Sequence, residues 1–116
     1  MERPRRVILE SPYSGDTEKN VEYARACVRD CVLRNESALA SHLLWTQEGI
    51  LNDNIPQERG LGINMGLVWG EVADATVVYT DLGITEGMMI GIRHADLASR
   101  PVEFRSIHGK KDPSTP

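Results

Sequence analysis

The chain has 116 residues, of which 41% are hydrophobic and 5% aromatic, and its formal net charge is −4. This length predicts one compact domain, and the acidic balance argues against a general nucleic-acid-binding protein, which would present a basic face. No run approaches the roughly 18 apolar residues of a membrane span, and the charged first residues do not resemble a signal peptide. We therefore expect a cytoplasmic protein that does not associate with membranes.

The two cysteines, Cys27 and Cys31, lie four residues apart in one predicted helix. This spacing places both on nearly the same helix face, where a disulfide between them would be strained. No set of histidines and cysteines completes a zinc site. Buried structural thiols are the better interpretation, as expected in a reducing cytoplasm, and we expect neither a metal nor a cofactor.

The first half of the chain predicts a strand, a helix and a short second strand. Residues 6–11 read as a buried apolar strand. Residues 17–35 carry apolar side chains at helical spacing and predict a helix capped by Asp16 or Thr17. Residues 37–44 are ambiguous, although they could contain a short second strand.

The second half begins with a polar loop and a helix. Asn54 fits a helix cap with Pro56 in the first turn, and the helix should run to about Trp69. Each glycine in it costs about 1 kcal/mol relative to alanine, a cost that close packing of another backbone would offset. The glycines of this segment are Gly60, Gly62, Gly66 and Gly70.

The remaining elements alternate between strand and helix. Residues 74–80 form the clearest strand, residues 85–98 predict a helix and residues 101–105 a final strand. The tail, residues 109–116, is polar and contains proline, so we expect it to be disordered. The predicted domain therefore covers residues 1–108.

This order of elements predicts an α/β fold. We expect a small three-layer, Rossmann-like or flavodoxin-like domain with a parallel sheet of four to five strands and helices on both faces. Ligands of such sheets bind beyond the carboxyl ends of the strands. That rule points to residues 11–16, to the segment after His42 and to residues 80–87.

The loop after the first strand contains candidate ligand-binding residues. Ser11, Ser14 and Gly15 offer hydroxyls and backbone N–H groups near a helix N-terminus, where a phosphate or another anion is favoured. The alternative is an ordinary tight turn. Tyr13 either contacts a ligand, by stacking or by a hydrogen bond, or covers the core, and His42 either faces the pocket or is a structural histidine.

The loop after the strand 74–80 contains candidate catalytic residues. Asp81 either binds ribose hydroxyls and transfers a proton, or serves as a turn or cap residue. Gly83 belongs to the same loop, and Thr85 fits the cap of the following helix. Glu86 would then lie in the first helical turn, where the helix dipole keeps a carboxylate nucleophile ionised. The same position equally suits a glutamate that only stabilises the helix.

Other aromatic and basic side chains have simpler interpretations. Trp45 and Trp69 are expected in the core by default, and His94 and His108 are expected to face solvent. The three arginines near the start of the chain are expected to form a solvated flank; they are Arg3, Arg5 and Arg6.

Four segments resemble a known family: the strand end Glu10-Ser11-Pro12-Tyr13, Asn20 near the start of the first helix, Ala73-Asp74 before a strand and Asp81-Leu82-Gly83 after it. On these segments, residues 6–105 resemble the nucleoside 2-deoxyribosyltransferase-like superfamily, and the chain is most similar to a short bacterial and phage branch of it. The resemblance implies a flavodoxin-like parallel sheet, a homodimer or higher oligomer, and a pocket for a nucleoside or nucleoside 5′-monophosphate.

Active members of that superfamily cleave or exchange the N-glycosidic bond with a glutamate nucleophile on the helix after the third main strand. The resemblance matches Asp81 to an aspartate near the end of that strand. Matching Ala95 to the family alanine puts the nucleophile position at Gly91, which has no carboxylate. Glu86 lies five residues earlier, about 7.5 Å along the helix axis and roughly 140° around it, so it could replace the nucleophile only if the loop is rearranged.

Three hypotheses follow from this pattern. The first is an N-glycosidase or deoxyribosyltransferase-like enzyme, with Glu86 as nucleophile and Asp81 as the proton-transfer or ribose-orienting group. The second is a non-catalytic nucleotide sensor or sequestering module that has lost the nucleophile. The third is an interaction protein that assembles through its glycine-rich faces, Gly60 to Gly70, Gly87 and Gly91.

Overall fold

The computed structural model describes residues 2–108 of the chain. It contains four strands, three α-helices and one short 3-10 helix, Ser41–Leu43, that follows β2. In chain order the strands and α-helices are β1 (Arg5–Glu10), α1 (Thr17–Leu33), β2 (Glu36–Leu39), α2 (Pro56–Gly70), β3 (Ala75–Tyr79), α3 (Glu86–Leu97) and β4 (Val102–Arg105). The expected tail at residues 109–116 lies outside the described residues.

The four strands form one parallel sheet in the order β2-β1-β3-β4. Helix α1 packs on one face, where its Tyr23 and Cys27 join Val7, Leu9 and Val77 in the hydrophobic core. Helices α2 and α3 cover the opposite face. The predicted α/β class, the parallel sheet and the three-layer arrangement are confirmed. No helix within residues 2–108 has the length and hydropathy needed to cross a bilayer.

Alternation along the strands determines which side chains meet which helices. Val7 and Leu9 point toward α1, so Ile8 and Glu10 point toward α2 and α3. Both faces of β1 are therefore covered. The last residue of the strand, Glu10, projects toward α3 at the carboxyl edge of the sheet.

Several local predictions are corrected by the structure. The second strand is formed by residues 36–39, at the start of the segment 37–44 that the sequence left ambiguous. Ile55 rather than Asn54 precedes the first residue of α2, which begins at Pro56, and Asn54 instead lies in a turn where its backbone N–H donates to Asn52 Oδ1 at 2.9 Å. At α1, Asp16 is the cap and accepts from the backbone N–H of Lys19 at 3.2 Å.

Helix α2 has an unusual distribution of side chains, because glycines form part of its inner face. Gly66 packs against Ser41, and Gly70 packs against the guanidinium of Arg100, so the close approach involves side chains rather than another backbone. The larger apolar residues lie outside, and Trp69 is 54% exposed, contrary to its expected place in the core. Because Gly66, Gly70 and Gly91 face the interior, these glycines do not form an external assembly face.

On the α1 face, charged residues form a network beside the hydrophobic core. Arg105 makes two hydrogen bonds of 2.8 Å to the carboxylate of Glu36 and a third of 2.8 Å to Glu103. Arg5 donates to Glu36 at 2.8 Å and to Glu103 at 3.0 Å. This network links β2, β1 and β4, so Arg5 has a structural role that a solvated flank would not give it.

Candidate functional site

A cavity of about 310 Å³ opens at the carboxyl edge of the sheet. The loop after β1, the 3-10 helix, α2 and the first turn of α3 enclose it. Its volume falls at the small end of the range typical of ligand pockets. The loop that follows β1 and the start of α3 therefore meet at one edge, as the strand-end rule predicts.

The structure brings most of the predicted site residues to this cavity. Six of the nine line it: Ser11, Tyr13, Ser14, His42, Thr85 and Glu86. Gly15 lines a neighbouring cavity of about 660 Å³, which shares Tyr13, Ser14 and Arg59 with the first. Asp81 and Gly83 line neither cavity.

Asp81 is held by other parts of the protein. It accepts hydrogen bonds from the hydroxyls of Tyr23 and Ser106, both at 2.6 Å, and from the backbone N–H groups of Ile107 and His108. Burial opposes ionisation, but these hydrogen bonds outweigh it and keep the pKa of Asp81 well below its usual range. Asp81 thus links the segment after β4 to α1. The prediction that Asp81 faces the ligand crevice is therefore wrong for this structure.

The turn after β3 orients the start of α3. Gly83 has a φ of +90°, and its N–H donates to Thr80 O at 2.9 Å, which closes the turn. Thr85 caps α3, as predicted, with Oγ1 accepting from the backbone N–H of Met88 at 3.2 Å. This cap places Glu86 in the first helical turn, exposed at the mouth of the cavity.

Ser11 and His42 form a hydrogen-bonded pair at the wall of the cavity, with 2.7 Å between Ser11 Oγ and His42 Nε2. Burial lowers the pKa of His42 to about 4, so its imidazole is neutral at neutral pH. The ring of Tyr13 stands edge-on to that of His42, with 6.3 Å between ring centroids. The pair is suited to positioning a hydroxyl, whereas a histidine with so low a pKa is a weak general base.

Arg59 of α2 links the helix to the loop after β1. Its Nη1 donates to Ser14 Oγ at 2.9 Å and lies 3.6 Å from Asp53 Oδ2. Among the described residues, Arg59 is the sole arginine or lysine lining the 310 Å³ cavity. It is therefore the cationic group best placed to meet an anionic part of a ligand.

Glu10 is the member of this site that the sequence reasoning missed. Its carboxyl group lies against Gly91 of α3, where a Cβ would overlap it. Within residues 2–108 no hydrogen bond contributes to the pKa of this carboxyl. Glu10 lines the cavity and also a further void of about 50 Å³ that Arg100 lines. Burial raises the pKa of Glu10 to about 8, while the charge of Arg100 acts in the opposite direction.

One protein family matches the chain. Its model, described as a domain of unknown function (DUF7768), covers residues 5–105. The chain belongs to the DUF7768 family. No curated protein and no solved structure matches it.

A signal for Glu10 is present in this DUF7768 sequence. The residue directly follows the apolar run Val7-Ile8-Leu9, where a charged side chain at the carboxyl end of a covered strand has few structural uses. In the part of the chain that the structure describes, no cluster of three or more histidine, cysteine, aspartate or glutamate residues is arranged to hold a metal. The residues that line the cavity carry carboxyl, hydroxyl, imidazole and guanidinium groups.

Proposed function

We propose that this protein binds a nucleoside or nucleoside 5′-monophosphate in the 310 Å³ cavity. The observation that carries the proposal is the arrangement of aromatic, hydroxyl, carboxyl and guanidinium groups around one cavity at the strand ends. Tyr13 and Trp45 offer aromatic surface for a base, an interaction worth roughly 1–3 kcal/mol per stacked base. Ser11 and Glu86 offer partners for sugar hydroxyls.

Arg59 is the group that would distinguish a nucleotide from a nucleoside. A 5′-phosphate bound near Ser14 would receive a charge-assisted hydrogen bond from Arg59 and would displace the 3.6 Å contact to Asp53. The carboxylates around the cavity repel a bound phosphate group. Most of the affinity for the phosphate should therefore depend on Arg59 alone.

Cleavage of the N-glycosidic bond is the second candidate function. The observation that favours it is the presence of two glutamates, Glu86 and Glu10, around one cavity. Glycoside cleavage commonly uses a pair of carboxyl groups, one to attack or stabilise the sugar and one to handle the proton. In this scheme Glu86 is the nucleophile. A sensor or sequestering module would bind the same ligands without releasing the base.

Calorimetric titration with a panel of nucleosides and their 5′-monophosphates tests the binding function. We expect saturable binding of at least one of them, and Arg59→Met should weaken binding of the monophosphate about tenfold or more while changing nucleoside binding little. Arg93→Met is the matched control, because Arg93 is exposed on α3 and lines neither cavity. Absence of binding across the whole panel would contradict the proposal.

We further propose that the protein acts as a homo-oligomer in a reducing cytoplasm. Buried free thiols at Cys27 and Cys31 support the compartment. Exposed apolar side chains on and after α2 support self-association, because apolar patches of this kind commonly mark interfaces. They are Leu61, Met65, Val68, Trp69 and Val72. Sedimentation velocity should show a species larger than the monomer, and Trp69→Lys should shift it toward the monomer.

A further inference from the structure

We propose that Glu10 is the proton donor of the site, and that its carboxyl group protonates the nucleobase as the N-glycosidic bond of the bound ligand breaks. The inference rests on the proposed cleavage function and adds a residue to it. The resemblance to the deoxyribosyltransferase-like superfamily points instead to α3 and to the end of β3. Glu10 comes from β1 and is placed by the strand rather than by either loop.

The position of Glu10 suits this role. Glu10 and Glu86 both line the 310 Å³ cavity, so a ligand that fills it lies beside both residues. No hydrogen bond from the described residues occupies the carboxyl, which leaves its oxygens available to a ligand. Glu36 and Asp81, by contrast, accept several hydrogen bonds each.

The absence of a side chain at Gly91 is what makes this position possible. A Cβ there would overlap Glu10 Oε2, so any other residue would force the carboxyl away from its place. The resemblance expects a catalytic glutamate at position 91. This position instead carries a glycine, which leaves room for the side chain of Glu10 from β1.

The surroundings of Glu10 include charges of both signs. Arg100, whose guanidinium donates to Thr76 Oγ1 at 2.9 Å and to Gly70 O at 2.7 Å, lines the 50 Å³ void with Glu10. The other charged or titratable groups lining the cavity are Glu86 of α3, Arg59 of α2, Asp53 of the preceding loop, His42 of the 3-10 helix and Tyr13 of the first loop. Burial opposes ionisation of Glu10, so it carries its proton near neutral pH.

The reaction can be written with all bonds and charges accounted for. The carboxylate of Glu86 forms a bond to the anomeric carbon, and the bond from that carbon to the base nitrogen breaks with its electron pair going to the base. The O–H of Glu10 gives its proton to the base, which leaves neutral. Water then attacks the sugar–Glu86 ester and releases the sugar, and its proton returns to Glu10, as when one group serves as acid and then as base.

A matched pair of substrates tests the assignment. Purine nucleosides and monophosphates need a proton on the leaving base, whereas their 7-methylated counterparts already carry a positive charge and do not. Glu10→Gln should lower the turnover of ordinary substrates by about 100-fold or more and change turnover of the 7-methylated ones by only a few fold. The rate of the wild-type protein should fall above about pH 8, where Glu10 loses its proton, and the variant should lack this fall. Glu22→Gln, on the exposed surface of α1, is the control.

The possible outcomes of this experiment distinguish three claims: the role of Glu10, the cleavage function and ligand binding. An equal loss on both substrates, or no loss on either, would overturn the role of Glu10 while leaving the cleavage function intact. Ligand binding without turnover by the wild-type protein would overturn the proton-donor role and favour the sensor or sequestering module. Absence of both binding and turnover would remove the proposed function itself. Circular dichroism of Glu10→Gln separates these outcomes from a failure to fold.

Discussion

The carboxyl group of Glu10 occupies the space that a side chain at Gly91 would fill. This contact joins the end of β1 to the middle of α3 and brings a weakly acidic carboxyl to the wall of the cavity. It also accounts for a glycine at this buried helix position, where alanine would otherwise favour the helix by about 1 kcal/mol.

The first prediction concerns Gly91→Ala. The added methyl group would overlap the Glu10 carboxyl, so the carboxyl or the helix must move, and overpacking of this kind costs about 1–3 kcal/mol. We expect a lower free energy of unfolding in urea denaturation and weaker ligand binding in calorimetry.

Gly60→Ala is the matched control, because a Cβ at residue 60 of α2 has no described atom within 4 Å. It should raise the free energy of unfolding by up to about 1 kcal/mol and leave binding unchanged. Equal behaviour of the two variants would show that the Glu10–Gly91 contact has no energetic consequence.

The second prediction is that Glu10 destabilises the folded protein at neutral and alkaline pH. Its folded pKa of about 8 lies above the ordinary value of 4.5, so the folded state binds a proton more tightly than the unfolded state. The stability associated with that proton is fully present below pH 4.5 and is lost as the pH rises toward 8. Glu10→Gln removes the ionisable group and should therefore stabilise the protein more at pH 8 than at pH 5.

Urea denaturation at a series of pH values measures this difference. The gain of Glu10→Gln over the wild-type protein should grow between pH 4.5 and 8, to on the order of 4 kcal/mol. Glu22→Gln should show no comparable growth, because Glu22 is exposed to solvent. A pH-independent difference would mean that the Glu10 carboxyl is solvated well enough to ionise normally.

The sequence predicts the edge of the sheet at which the candidate site lies, but it does not predict on which face of the sheet the site lies. Hydrophobic runs and turn residues locate the strands, and parallel pairing then places the ends of β1 and β3 at one edge. Asp81 and Glu10 both lie at this edge, and the sequence pattern predicts Asp81 as the catalytic residue. Only the positions of the helices separate them: Asp81 meets Tyr23 of α1, whereas Glu10 meets Gly91 of α3.

Other differences have equally local causes. Asn54 does not cap α2 but lies in a turn with Asn52, an arrangement that the capping pattern does not reveal. Trp69 is exposed because Gly70 on the inner face admits Arg100. Hydrophobic periodicity does not reveal a buried arginine that packs against a helix backbone. The outward position of Trp69 could therefore not be predicted from hydrophobic periodicity.

The third prediction concerns acid stability. Hydrogen bonds from Arg105 lower the pKa of Glu36 to about 2, against the opposing effect of burial, and Arg5 adds to the shift. Because the folded pKa lies below 4.5, this stabilisation is present above pH 4.5 and is lost as the pH falls toward 2. The stabilisation from Glu36 amounts to about 3 kcal/mol. Solvent screens it little, because the Glu36 side chain is only 6% exposed.

Glu36→Gln should therefore lower the free energy of unfolding at pH 7 by about 3 kcal/mol, because it leaves the buried charge of Arg105 with Glu103 as its remaining carboxylate partner. The loss relative to the wild-type protein should shrink between pH 4.5 and 2. Asp53→Asn, at a weaker 3.6 Å ion pair of the loop before α2, is the comparison, and its effect should be small. A larger loss for Asp53→Asn would contradict the assignment of acid stability to the Glu36 network.

The fourth prediction separates structural from ligand-binding carboxylates by means of Asp81. Its hydrogen bonds from Tyr23, Ser106 and the backbone beyond β4 predict that Asp81→Asn lowers the free energy of unfolding by roughly 2–3 kcal/mol. Ligand affinity should remain within about threefold of the wild-type value, measured by calorimetry at a temperature where both proteins are folded. Glu86→Gln should do the reverse, abolishing any base release with little change in stability, because Glu86 is exposed in the first turn of α3. If Asp81→Asn instead abolished binding without loss of stability, Asp81 would have to reach the ligand through a rearrangement of the segment after β4, and the cavity at Glu10 would no longer define the site.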